Sequence, residues 1–465
     1  MISLKTKFIY KCTAIVLFII FILLTILLIY INIVGEIVDE IYEDQLLYVY
    51  SILLFFLSLI LVLIIIYKSK TFTPSIVLFL FFLAVPLIGS FSYRIFIKYH
   101  EWVDLDFAFP TFVWAIGIVS LFAGILISYF VIRINKAKYI IHWNLERSSY
   151  LLWFTIGVSF FFSILAIFKI GYIPLFQSDI DRERMAYFEL AGEWTIKFSR
   201  LWLVVASMSS MFAFLKYRKK FYLFIVLFSG LASFCYGQRL YIFLILCSFL
   251  LIHVKFQKLK LFRLFILGTC LISFLAIYKE IRAGRSTERY KLQEVIIKNI
   301  FGEWHEYAYV INEIRYSGNF YKETIYLGGL VGLLPKQIWL VFDVDKNDVM
   351  HKYGAAWVFG NYLGQEGWGI RIGTIGEAYA GYGVYYGVCL QMFLFGIIFG
   401  VLERIYLNLN KKDARLGFVC FLMSLFMYLP LSTLVVTTTN LLFFGFFFIL
   451  YQIIGTNQVA IWLKK

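Results

Sequence analysis

Apolar residues run along this chain in long blocks separated by short polar connections, and the length of the blocks sets the fold. A helix that crosses a bilayer needs about 20 mostly apolar residues. Runs of that kind lie near 13–35, 46–67, 75–97, 110–132, 148–170 and 199–215. Six more follow near 221–236, 240–254, 264–279, 376–402, 416–436 and 440–455. The pattern predicts an all-α polytopic membrane protein of about 12 transmembrane helices, in a single integral membrane domain over 1–465. The first block is too long for a secretory signal and no small-residue cleavage site follows it, so it is expected to remain as a membrane helix.

Composition agrees with the blocks. The chain is 62% hydrophobic and only 15% charged, against about 45–50% and about 25% in soluble domains. Six prolines and no polar low-complexity tract leave no sign of a flexible linker. The formal charge of +15 would suggest nucleic acid in a soluble protein, but no zinc-finger spacing, aromatic-basic motif or basic helical face goes with it. Assigned to the two sides implied by the blocks, one face carries 23 Lys and Arg against Glu146, Glu403 and Asp413, a net +20. The other face holds the remaining −5 of the +15 total. Basic loops stay on the cytoplasmic side, so both termini are expected there, facing the anionic membrane lipid of the inner leaflet, with no nucleic-acid partner.

Two connections on the opposite, outer side are long, 171–198 and 280–374, and loops of such length are usually functional. The first opens Gly171-Tyr-Ile-Pro-Leu-Phe176 and continues into an Asp/Arg-rich run that ends at Arg184. The second opens Lys279-Glu-Ile-Arg282-Ala-Gly-Arg285 and is expected to hold short helices between spans 9 and 10. One of these, about 303–316, repeats apolar residues at Trp304, Tyr307, Ala308, Ile311 and Ile314, a period near 3.6 that suits a helix lying in the membrane interface. Residues 354–387 then hold ten of the 31 glycines, including Gly373-Thr-Ile-Gly-Glu377-Ala-Tyr379. Backbone broken at membrane depth is tolerated only where it lines a cavity or is buried in protein, so this run is the best local sign of a site.

Arginine suits forked contacts with phosphate oxygens. Arg184, Arg239, Arg282, Arg285 and Arg371 all fall at or just beyond the outer ends of spans, and together they suggest a cationic pocket for a lipid-linked phosphate or pyrophosphate. Snorkelling anchorage is the alternative for Arg239, and a solvated loop the alternative for Arg182, Arg289 and Lys322. Glu377 is costly to place at a helix mouth and so is a functional candidate; pairing with an arginine to hold the loop is the structural alternative. Asp343-Val-Asp345 imitates a metal-binding DxD, and His305 and His351 are isolated, so no metal and no cofactor are expected. No CxxC pair occurs among the six cysteines, which read as small core residues. No nucleophile elbow or Walker loop is present.

The order Gly171-Tyr-Ile-Pro-Leu-Phe176, Gly237-Gln-Arg239 and Gly373-Thr-Ile-Gly-Glu-Ala-Tyr-Ala-Gly-Tyr-Gly383, with the span count and the large late loop, resembles the Wzy-type oligosaccharide repeat-unit polymerases of O-antigen and capsule. The resemblance implies a GT-C-like helical scaffold in the bacterial cytoplasmic (inner) membrane. It implies a glycosyltransferase that joins undecaprenyl-pyrophosphate-linked oligosaccharide repeat units into O-antigen, capsule or exopolysaccharide. It further implies Arg184, Arg239, Arg282 or Arg285, and Arg371 at the pyrophosphate. Glu377 would act as general base with Arg239 and Arg371 in the catalytic set, and Tyr379 and Trp304 would contact glycan. A chain-length regulator and a flippase are possible protein partners. A glycan ligase shares donor and scaffold and stays open as an alternative, as does a flippase or transporter of lipid-linked oligosaccharides, although a transporter should show internal repeats that are not visible here.

Overall fold

The computed structural model describes residues 106–131, 145–173, 193–235, 239–256, 292–322, 336–345, 372–409 and 415–429, with Leu190 and helical pieces within 46–55 and 74–86. All regular structure among the described residues is helical. The helices are α1 (Ala108–Val131), α2 (Leu145–Ile170), α3 (Glu193–Tyr217), α4 (Lys220–Cys235) and α5 (Arg239–Phe256). They continue as α6 (Leu292–Ser317), α7 (Lys336–Val341), α8 (Gly373–Tyr382), a π-helical turn (Gly383–Cys389), α9 (Leu390–Asn408) and α10 (Arg415–Met427). Among the described residues three helical stretches are long and apolar enough to cross a membrane: Ala108–Tyr129, Trp153–Ile170 and Gly373–Asn408. Shorter apolar helices cover Trp202–Met211, Lys220–Ala232, Ile242–Ile252 and Leu416–Met427. The blocks read near 13–35, 264–279 and 440–455 lie outside the described residues.

The chain divides into two compact units. One comprises Asn135–Ile300, Ile405–Tyr428 and Asn440–Lys465, and so contains α2 to α5 and α10. Its helices meet through small and hydroxylated residues, as expected where lipid supplies no hydrophobic drive for helix association and close packing must do so. Ala166 of α2 and Leu203 of α3 are fully buried against each other with Ala232 of α4 alongside. Hydroxyl pairs bridge Ser163 to Ser199 at 3.4 Å and Ser248 of α5 to Ser424 of α10 at 2.9 Å. The α3–α4 turn is only Arg218–Lys219, and it closes with Arg218 in the left-handed region (φ 56) donating its amide to the Phe214 carbonyl. Large apolar side chains such as Phe161, Ile164, Phe168, Phe224 and Leu231 point outward. So much exposed apolar surface suits contact with hydrocarbon rather than water.

The other unit comprises Met1–Ile134, Phe301–Arg404 and Leu429–Thr439. α1 and α9 lie together at glycines. A Cβ on Gly124 would come within 2.9 Å of the Ile397 amide, and one on Gly396 within 2.9 Å of the Leu121 carbonyl carbon, so backbone meets backbone. Beyond this contact the buried Glu403 accepts the Ser75 amide at 2.7 Å and the Tyr129 hydroxyl at 2.8 Å. Arg404 donates to the Ser128 carbonyl at 2.6 Å and lies over the Tyr129 ring. With a bond to each oxygen, Glu403 is a structural carboxylate that ties α9, α1 and the helical piece at Ser75 together.

The block read as one span over 376–402 folds differently. A straight 36-residue helix from Gly373 to Asn408 would be about 54 Å long, far beyond an apolar core of about 30 Å. The chain instead breaks at Tyr382–Gly383, where Gly383 takes φ 72. Only glycine enters that region without steric cost. Gly387 then lies against the carbonyl of Ala378. Nine residues apart on one straight helix they would be about 13 Å apart, so α8 folds back along the π-helical turn as a tight helical hairpin.

Candidate active site

α8 is buried along Gly373–Gly381. Its Thr374 hydroxyl donates to the Leu429 carbonyl at 3.1 Å. Successive helical residues turn by about 100°, which fixes what each position of α8 faces. Ile375 meets α1, since a Cβ on Gly117 would stand 2.8 Å from its Cδ1. Tyr379 meets α1 too, edge-on to Phe109 at 5.7 Å. Gly376 leaves room for Tyr307 of α6, whose Cδ2 is 2.9 Å from where a Cβ would sit. Glu377, midway between Ile375 and Tyr379, therefore points away from α1, and it is only 1% exposed. A carboxylate so deep in an apolar helix is costly, which makes Glu377 a functional candidate.

Helix α6 bears out the 3.6 period read for 303–316, but its apolar face is covered by protein. Trp304, Tyr307, Ala308, Ile311 and Ile314 are all buried. Trp304 stacks on Tyr307 at 5.0 Å and meets Trp114 of α1 edge-on at 5.4 Å. At 1% exposure its ring is covered by this packing. The Tyr307 hydroxyl donates to the Pro110 carbonyl at 3.0 Å. Burial, with Tyr379 nearby adding to it, pushes the Tyr307 phenol well above its ordinary value and keeps that donor protonated.

Asp106 accepts the Ala108 amide at 2.8 Å and so satisfies a free donor at the start of α1. From α6, Asn312 donates to the Asp106 carbonyl at 2.6 Å, and Arg315 reaches the Asp106 carboxylate at 3.9 Å. The Arg315 guanidinium lies 4.4 Å over the Phe109 ring. Phe109 in turn touches Tyr379, so a cation–aromatic chain runs from the end of α6 to the helix that carries Glu377. Arg315 is not legible in the sequence as part of this network. Its spacing from Asn312 puts both on one face of α6, and Asp106 with Pro110 is a helix-start signature; nothing in sequence pairs the two.

Of the other residues named from sequence, Arg239 is the first residue of α5, and its side chain lies outside the described residues. Arg184, Arg282, Arg285 and Arg371 also lie outside them. Asp343 and Asp345 are exposed around a turn after α7. His305 packs edge-on to Phe107 at 5.6 Å. Among the described residues no group of three or more His, Cys, Asp or Glu is placed to hold a metal ion.

Apolar helices packed through glycine and hydroxyl contacts, with a buried carboxylate on a glycine-hinged hairpin, define a helical integral membrane protein. The family model for the O-antigen polysaccharide polymerase Wzy matches residues 14–464, and the chain belongs to that family. It is accordingly a polymerising glycosyltransferase of the O-antigen polymerase type. Comparison with curated proteins and with solved structures gave no match.

Proposed function

We propose that the protein transfers a growing glycan from undecaprenyl pyrophosphate to the terminal sugar hydroxyl of a second lipid-linked repeat unit, at the outer face of the bacterial cytoplasmic membrane. The bond between the anomeric carbon and the pyrophosphate breaks, the acceptor oxygen takes that carbon, and the acceptor proton passes to Glu377. The observation that carries this reading is the burial of Glu377 on the folded-back helix α8. Pyrophosphate is a competent leaving group, so arginines that stabilise its developing charge suffice without a metal ion. Arg239 and Arg371 fill that role, with Arg184, Arg282 and Arg285 binding the rest of the donor and Tyr379 bordering the glycan. A cation at the first residue of α5 opposes the helix dipole, which is unfavourable for the helix alone and supports a ligand role for Arg239.

The same reading takes the chain as one membrane domain with about 12 spans on a GT-C-like scaffold, both termini cytoplasmic, with the long loops 171–198 and 280–374 outside. Capsule or exopolysaccharide repeats fit the same chemistry, and a chain-length regulator and a flippase act beside it. The glycan ladder of a deletion strain tests the assignment. Single-repeat products support polymerisation, long chains held on lipid mean a ligase, and the absence of any exported repeat means a flippase.

A further inference from the structure

Gly318 to Lys322 follow α6 as a strap without helical structure, and the strap touches the candidate active helix at several points. Gly318, at φ 66, closes α6 by donating its amide to the Ile314 carbonyl. The Tyr321 and Lys322 amides then donate to the carbonyls of Ala380 and Gly381 at 2.8 and 2.9 Å. Helix ends leave carbonyls without intrahelical partners, and here a distant segment supplies two of the caps for α8. Lys322 takes φ 38 to do so, a conformation uncommon outside glycine. Strained backbone of this kind persists where surrounding structure enforces it, and it clusters at functional sites.

Between these anchors Phe320 stands edge-on to Tyr379 at 5.8 Å. Its ring would be 3.4 Å from a Cβ on Gly383, the hinge of the hairpin. Phe320 therefore fills the corner where α8 turns back, although it is 40% exposed. An exposed phenylalanine is a poor interfacial anchor, because it lacks the polar tip that suits tyrosine and tryptophan to that place. Its contacts point inward to the hinge.

The geometry points to the strap as a positioning clamp for α8, with Phe320 as the positioning residue that fixes the depth and rotation at which Glu377 is presented. The large loop then does more than bind substrate, because part of it holds the reacting group in register. This inference rests on the reading of Glu377 as general base.

The test uses full-length protein in detergent or proteoliposomes with purified lipid-linked repeat units, and it separates kcat from KM. Phe320→Ala should lower kcat at least about ten-fold with KM within about two-fold of wild type, since sub-ångström to ångström misplacement of a reacting group costs on that scale. Phe320→Leu, which refills the corner without an aromatic face, should restore most of kcat. A raised KM at unchanged kcat in both Phe320 variants would overturn the clamp and make Phe320 a sugar-stacking surface, and unchanged kinetics in Phe320→Ala would overturn it outright. Glu377→Gln is read in parallel. Full turnover there removes Glu377 as base, and a kcat loss in Phe320→Ala would still assign the clamp to α8.

Discussion

Gly387→Ala is the sharpest perturbation of the hairpin. The added Cβ would stand 2.7 Å from the Ala378 carbonyl carbon and closer still to its oxygen, whereas carbon atoms in contact prefer about 3.5–4.0 Å. One limb must retreat by about 1 Å, and Ala378 is backbone next to Glu377, so no side-chain rotation relieves the clash. Overpacking of this kind costs about 1–3 kcal/mol, and 1 Å of misplacement at a reacting group can cost about 100-fold in rate. We expect Gly387→Ala to accumulate in the membrane with turnover reduced about 100-fold, leaving short glycans in the cellular ladder. The sign is informative. Alanine favours a helix over glycine by up to about 1 kcal/mol, so if α8 did not fold back on Gly387 the variant would be slightly more stable and fully active. Wild-type turnover with an unchanged or raised Tm refutes the hairpin argument.

Glu377→Gln preserves shape and removes the base, and it should abolish polymerisation with purified lipid-linked repeat units while protein level is kept. Arg239→Ala and Arg371→Ala should each erase long chains but leave single-repeat glycans intact, as read on a glycan ladder; full-length chains in both would misplace the pyrophosphate site. Gly124→Val forces α1 and α9 apart where backbones meet, so a lower melting temperature and less membrane-inserted protein are expected, whatever the substrate. Glu403→Ala leaves the Ser75 amide and the Tyr129 hydroxyl without their acceptor, a loss of about 2–3 kcal/mol that thermal unfolding in detergent should detect.

The apolar blocks fixed where α1, α2, α4 and α5 begin and end to within a few residues, because in lipid only a helix satisfies its own backbone, whereas α3 starts six residues before its block and α10 ends at Met427, nine residues short of the block read to 436. The 3.6 period likewise located α6, since burial of one helical face needs that period whichever surface covers it. The covering surface was not legible: hydropathy does not tell lipid from a neighbouring tryptophan, and only packing placed Trp304 and Tyr307 against Trp114 and Gly376. The glycine run pointed to a candidate site and to Glu377, yet in sequence it reads as one continuous span. Gly383 at positive φ and Gly387 against Ala378 turn it into a hairpin, a decision made by contacts nine residues apart that no window on hydropathy can register. Arg315 joined the site only through Asp106 and Phe109, about two hundred residues away in the chain. Local pattern thus determined the helices and the chemistry available to them. Tertiary contact decided which helix bends, what holds it, and where its carboxylate points.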